Sequence, residues 1–235
     1  MNKIIKMTDA DYRKADGISN SSLLLFDRSA KHYLLGSKVT KAMQDGIMLH
    51  EFLLEGIVDS ALDNKKDVLT LLKDNIDNYE LIDGLTYKQI ADKSEKEISI
   101  FWEDPNCFGV QRKGKLDLLF ENERCNIIID LKKTSDASDF DYTVRKYKLY
   151  RQAAFYSTGV EFLTGKKTIF IFLAFEFSEP FCCKAYMLDD AYLEYGENQN
   201  IASIIRFIKW KEEGSIIKGY KPGVEILSKP AWLNK

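Results

Sequence analysis

Apolar residues follow helical spacing through the first half of the chain and change to strand-like alternation near Glu97. Ser19-Asn20-Ser21-Ser22 offers N-cap hydroxyls and an amide before Leu23-Leu24-Leu25-Phe26, which predicts a helix running toward Tyr33. Met43, Ile47, Leu49 or His50, and Leu54 recur at helical spacing and predict a second helix over Lys41 to Leu54. Val68, Leu69, Leu71 and Leu72 predict a third over Lys65 to Ile76.

From Glu97, Ile98, Ile100 and Trp102 alternate with Glu97, Ser99 and Phe101, as a strand does. Phe108 to Phe120 and Ile127 to Leu131 read as two more strands, joined through Glu121-Asn122-Glu123-Arg124. Asp139 to Phe162 reads as one long helix, and Tyr192 to Trp210 as another. Thr168 to Phe177 is dense in Ile and Phe, as a strand buried on both faces would be, with Cys182 to Met187 able to pair beside it. The expected fold is therefore α/β: a central mixed sheet flanked by helices, with a helical N-terminal region. One domain suits the length of 235 residues, divided as helices over 18–95, a sheet core over 96–213 and a tail over 214–235.

Composition narrows the classes. A formal charge of -2 gives no global field for nucleic acid, so any such affinity needs a local basic surface or a bound cation. No apolar run reaches the roughly 20 residues that span a bilayer, and the start is not a secretory signal, so a cytoplasmic location without membrane contact is expected. Cys107, Cys125, Cys182 and Cys183 form no C-x-x-C pair, and reduced, packed thiols are expected.

The chemistry gathers at one hairpin. If Glu123-Arg124 is its tip, paired residues sum to a constant and Asp117 lies opposite Asp130. Opposed side chains share a face with Cβ atoms about 4.5–5.5 Å apart, and Lys132 shares that face by period two. Opposed carboxylates repel, and a hard divalent cation would relieve that repulsion. A neighbouring lysine suits activation of water or stabilisation of developing charge. The alternative is that both aspartates end their strands in solvent and Lys132 pairs with one of them; these residues alone leave both open.

Wider motifs favour the metal-site reading. Glu97 to Trp102, Gly114-Lys115-Leu116-Asp117, Ile129-Asp130-Leu131-Lys132 and Tyr150 to Tyr156 stand in order, preceded by Gly17 to Ser21 and Gly46 to Glu51. This order resembles the PD-(D/E)xK nuclease superfamily, and within it the phage and prophage RecE-like exonucleases. The resemblance implies Asp117 and Asp130 as Mg²⁺ ligands (with Mn²⁺ able to substitute), joined by His50, and Lys132 as the catalytic lysine. It also implies catalytic-site roles for Glu97, Gln152 and Tyr156, the last two one helical turn apart. Leu116 replaces the proline of the family name, and Asp130 stands where many relatives carry Glu.

Each of these residues also has a plainer reading. His50 could be a satisfied helix histidine, Glu97 a solvated strand residue, and Gln152 and Tyr156 a helix–sheet packing pair. Arg145, Lys148 and Arg151 are candidates to grip DNA phosphates, although a charge run is usually a solvated face, and Arg28 is the candidate for a 5′ phosphate.

The implied activity is Mg²⁺-dependent exodeoxyribonuclease action on linear double-stranded DNA ends in the 5′→3′ direction. It would leave 3′ tails for a single-strand annealing recombinase in the cytosol of a bacterial host. A cyclic homo-oligomer, trimer or tetramer, is implied by relatives that form rings, and no iron–sulfur cluster is expected. A catalytically idle DNA- or protein-binding module on the same fold, or a structure-specific endonuclease, remains the alternative.

Overall fold

A computed structural model of the chain describes residues 2–103, 105 and 108–229. Strand β1 (Lys3–Lys6) and helix α1 (Asp9–Lys14) precede α2 (Asn20–Arg28), α3 (Ala30–Leu35) and α4 (Lys41–Glu55). A 3-10 turn at Ser60–Lys65 leads to α5 (Lys66–Asp77), a small hairpin of β2 (Glu80–Ile82) and β3 (Leu85–Thr86), and α6 (Tyr87–Ala91). The sheet-containing core follows as β4 (Glu95–Glu103), β5 (Gln111–Glu121), β6 (Asn126–Thr134), α7 (Phe140–Tyr147), α8 (Leu149–Thr164), β7 (Thr168–Glu176), β8 (Cys183–Met187) and α9 (Asp190–Glu212).

Six strands form one sheet in the order β1-β4-β5-β6-β7-β8. All neighbours run antiparallel except β6 and β7, which are parallel because α7 and α8 make the crossover between them. The expected mixed sheet with flanking helices is thus observed.

β6 and β7 alternate between two cores. Ile128, Phe170 and Phe172 face α8, α9 and α2, meeting Phe155, Ile204 and Leu23. Ile127, Ile129, Ile171 and Leu173 face α4, α5 and α6, meeting Leu53, Leu72 and Ile90. This double burial accounts for the unbroken apolar run read in β7.

Two helices expected to be continuous are broken. Ser29 adopts an extended φ of 179°, ends α2, and caps α3 by accepting from the His32 backbone at 3.3 Å. Lys148 takes a left-handed φ of 54° and separates α7 from α8. By contrast, α4 matches its expected span, with Thr40 accepting from Met43 N–H at 3.3 Å and Gly56 closing it at φ 73°. Cys125, Cys182 and Cys183 are free, with Cys182 exposed where a packed thiol was expected; Cys107 lies outside the described residues. No helix among the described residues is long and apolar enough to cross a membrane.

Candidate active site

The β5–β6 ladder runs from Leu118↔Ile129 to Glu121↔Asn126, the register read from the sequence, and Asp117 and Asp130 are the next positions along it. Here the sheet stops alternating regularly: Leu116 and Leu119 enter one core while Leu118 enters the other. On β4 the pairs Lys96↔Leu118 and Ile98↔Leu116 bracket Glu97, which sits at φ 53°. A left-handed glutamate within a strand costs on the order of 1–3 kcal/mol, and such strain clusters at functional sites.

Four groups fix the two carboxylates. The Leu131 N–H donates to Asp117 Oδ2 at 2.7 Å, and His50 Nδ1 stands 3.5 Å from the same oxygen. Gln152 Nε2 donates to Asp130 Oδ1 at 2.9 Å, and the Lys132 ammonium pairs with Asp130 Oδ2. The structure therefore brings Asp117, Asp130, Lys132, His50 and Gln152 together, drawing on β5, β6, α4 and α8.

Electrostatics separate the carboxylates. Burial raises Asp130 to about 6, helped by the charge of Asp117 and opposed by Lys132. Burial also acts upward on Asp117, but His50, Lys132 and the Leu131 N–H together hold it below the ordinary carboxylate range. For His50, burial favours the neutral ring, yet the Asp117 charge and hydrogen bond outweigh it and raise its pKa. Two buried carboxylates pushed in opposite directions are the signature of a tuned site.

Glu97 reaches the same cleft through a partner that the sequence reading did not assign. The Lys115 ammonium bridges Glu97 and Asp9, so β5 is tied both to β4 and to the start of α1. Burial raises Glu97, while Lys115 draws it back toward the ionised form. The signal was present in Gly114-Lys115-Leu116-Asp117, because Lys115 shares strand parity with Asp117. Asp9 had no local signal. A cleft of about 910 Å³ opens here, lined by Asp9, Met43, His50, Glu97, Lys115, Asp117 and Lys132 among others.

Tyr156 packs its ring over Gly114, where an added Cβ would stand 2.8 Å from Cε1. That contact accounts for the glycine in the motif. Burial pushes the Tyr156 hydroxyl far up, and the nearby charges of Asp130 and Asp117 add to it. Arg28 and Lys148 are exposed, and Arg145 pairs with Asp141 at 2.5 Å, one turn away on α7.

Arg151 corrects an expectation. Its side chain is only 1% exposed, and its guanidinium donates to Asp27 Oδ2 at 2.5 Å, Asn200 Oδ1 at 2.9 Å and Ser203 Oγ at 2.9 Å. With three of its directions spent inside the protein, it binds α2 to α8 and α9 and does not grip DNA.

Among the described residues no three of His, Cys, Asp and Glu converge into a closed ion-binding cluster. The donor set still fits Mg²⁺, which binds through one or two carboxylates, keeps several waters and uses substrate phosphate to complete its shell. Asp117 and Asp130 would supply its oxygen donors. The Lys132 ammonium, now paired with Asp130, is the group a cation would compete with, and the His50 ring lies within reach as a nitrogen donor.

A family model described as a PDDEXK-like domain of unknown function (DUF3799) matches residues 19–216. The crystal structure of a protein described as a "putative exonuclease" from Eubacterium rectale superposes with a TM-score of 0.65, covering 96% of each chain at 16% identity. At that identity the likeness is one of fold. The crystal structure of SSO0001 gives a TM-score of 0.39 at 14% identity, over 86% of this chain and 78% of that one, and carries no argument. No curated protein matches the chain.

Proposed function

This chain belongs to the PDDEXK-like family whose model spans residues 19–216, and from that premise we propose that it is a metal-dependent deoxyribonuclease. The observation that carries the reading is the pair of aspartates just past the β5–β6 ladder, Asp130 buried and Asp117 partly so, with Lys132 and His50 beside them.

The residues divide the work. Leu131 N–H and His50 orient Asp117, and Gln152 orients Asp130, so both carboxylates are set before substrate arrives. Asp117 and Asp130, with His50 beside them, would hold a divalent cation, which when bound would supply Lewis-acid polarisation of a phosphate and a more acidic water. Lys132 faces the phosphate and stabilises the negative charge that grows as water adds to phosphorus and the bond to the leaving oxygen breaks. Lys115 pairs with Glu97 at the cleft and partly offsets the burial that raises its pKa.

The finer reading is a Mg²⁺-dependent 5′→3′ exonuclease on linear duplex ends, handing a 3′ tail to a single-strand annealing recombinase. Its support is the motif order that resembles RecE-like enzymes. A ring of three or four copies would pool modest basic surfaces that a chain of net charge -2 lacks alone. Arg28, Arg145 and Lys148 are the exposed candidates for phosphate contact.

The test uses linear duplex DNA labelled at either end, beside supercoiled circles, with Mg²⁺ or EDTA. Nucleotide release from the 5′ label, intact circles and silence in EDTA are expected. Asp117→Ala and Lys132→Ala should each reduce the rate by at least about 10³-fold, as loss of a reacting-centre group does. Cleavage of circles would replace the exonuclease with an endonuclease, and wild-type activity in either variant would sink the assigned site.

A further inference from the structure

A second cavity of about 540 Å³ adjoins the cleft, sharing Met43, Gly46, His50 and Lys132 with it. The two differ in charge. The larger cleft is lined by Asp9, Glu51, Glu55, Glu97 and Asp117 against three lysines. The smaller is lined by His50, Lys132, Lys133, Thr134, Ser135 and Phe177, and no carboxylate lines it among the described residues.

Phe177 follows the end of β7 and is half-buried, its inner side packed on the core beneath α4 and α5. The ammonium of Lys133 stands 5.8 Å from its ring centre and that of Lys65 stands 5.1 Å away. Lys133 is held from α4 by Asp45 at 3.5 Å, a partly exposed pair of the kind worth little, so an incoming phosphate can take it over. An aromatic ring flanked by cations beside three hydroxyl-bearing residues, Thr134, Ser135 and Ser178, is the chemistry that takes a nucleotide: base on ring, phosphate on ammonium.

We propose that this cavity is a nucleotide subsite that holds one residue of a DNA strand with its base unpaired. Phe177 stacks the base, and Lys133 takes the phosphate adjoining the one at Lys132. The inference rests on the nuclease reading and adds where the strand lies. A paired base stays stacked within its duplex, so the subsite selects a strand peeled from its partner. It also places the polyanion on the basic side of the site and leaves the acidic side to cations.

The experiment measures anisotropy of a short fluorescein-labelled oligothymidylate, and of a blunt duplex, with the full chain in EDTA. Phe177→Leu keeps apolar volume and removes the ring, so it should weaken single-strand binding about 10-fold, whereas Phe177→Trp should retain it. Lys133→Gln should lower the slope of log affinity against log salt by about 0.7. In Mg²⁺, Phe177→Leu should raise KM on linear DNA with kcat kept. Unchanged binding and KM in both Phe177→Leu and Lys133→Gln, while the wild type cleaves and Asp117→Ala does not, would overturn the subsite alone. A wild type that neither binds nor cleaves DNA overturns the nuclease reading and the subsite with it. Capture of duplex and single strand with equal affinity, unaffected by Phe177→Leu, also overturns the subsite.

Discussion

At the scale of single residues, the site depends on side chains that hold other side chains. Gln152 reaches across from α8 and donates its Nε2 hydrogen to Asp130 Oδ1 at 2.9 Å. It acts through Asp130, so Gln152→Ala should lower activity about 10- to 100-fold, the range seen for partners of metal ligands. Steady-state assays at stepped Mg²⁺ check this: part of the loss should be recovered at high Mg²⁺, which a defect in folding would not allow. Gly114 belongs with it, since its missing Cβ makes the room for Tyr156. Glu97 shows the converse, a residue in a strained backbone position retained where the sheet changes parity.

At the scale of elements, the charged cluster of Arg151, Asp27, Asn200 and Ser203 joins α2, α8 and α9. Removing Arg151 takes away the buried cation that Asp27, Asn200 and Ser203 share and leaves Asp27 only Arg206 and Ser203, so Arg151→Met should cost about 3 kcal/mol in urea unfolding. Its pH signature follows from Asp27. Burial raises Asp27, but hydrogen bonds from Arg151, Ser203 and Arg206 prevail and hold its pKa down. A depressed carboxyl stabilises the fold above its unfolded pKa, and the contribution is lost as pH falls through the folded value. Unfolding free energy should therefore decline from about pH 5 downward. Asp27→Asn should flatten that decline, and an unaltered pH profile in this variant would contradict the assignment.

At the scale of the whole molecule, two cores share one sheet. Neighbouring residues of β6 and β7 belong to opposite cores, so neither can melt without exposing the other. A single cooperative transition is expected. Trp102 is buried in, and Trp210 packs against, the core beneath α8 and α9, so in a Trp232→Phe background tryptophan fluorescence reports one side, while far-UV circular dichroism reports both. The two melts should coincide within error; a separate early loss of helical signal would show that α4 to α6 unfold on their own.

Local pattern was enough for most elements, because helix and strand periods are written within one turn or one pleat. The spans of α4, α5 and α9, and the β5–β6 register, were legible from spacing alone. So were Asp117, Asp130 and Lys132, since a hairpin makes sequence distance a measure of contact. What the sequence left hidden was decided by chain segments far apart. β1 is a short edge strand paired with β4, and its neighbour Asp9 meets Lys115 from 106 residues away. The breaks at Ser29 and Lys148 involve neither glycine nor proline, the usual punctuation. Arg151 looked like a phosphate grip because its run of charges is local, whereas its partners lie 49, 52 and 124 residues away. Sequence by itself determined most of the elements and the meeting of Asp117, Asp130 and Lys132 on one hairpin, which depend on neighbours. Only the tertiary structure decided which cations remain free for a ligand, because that depends on burial and on partners brought from distant segments.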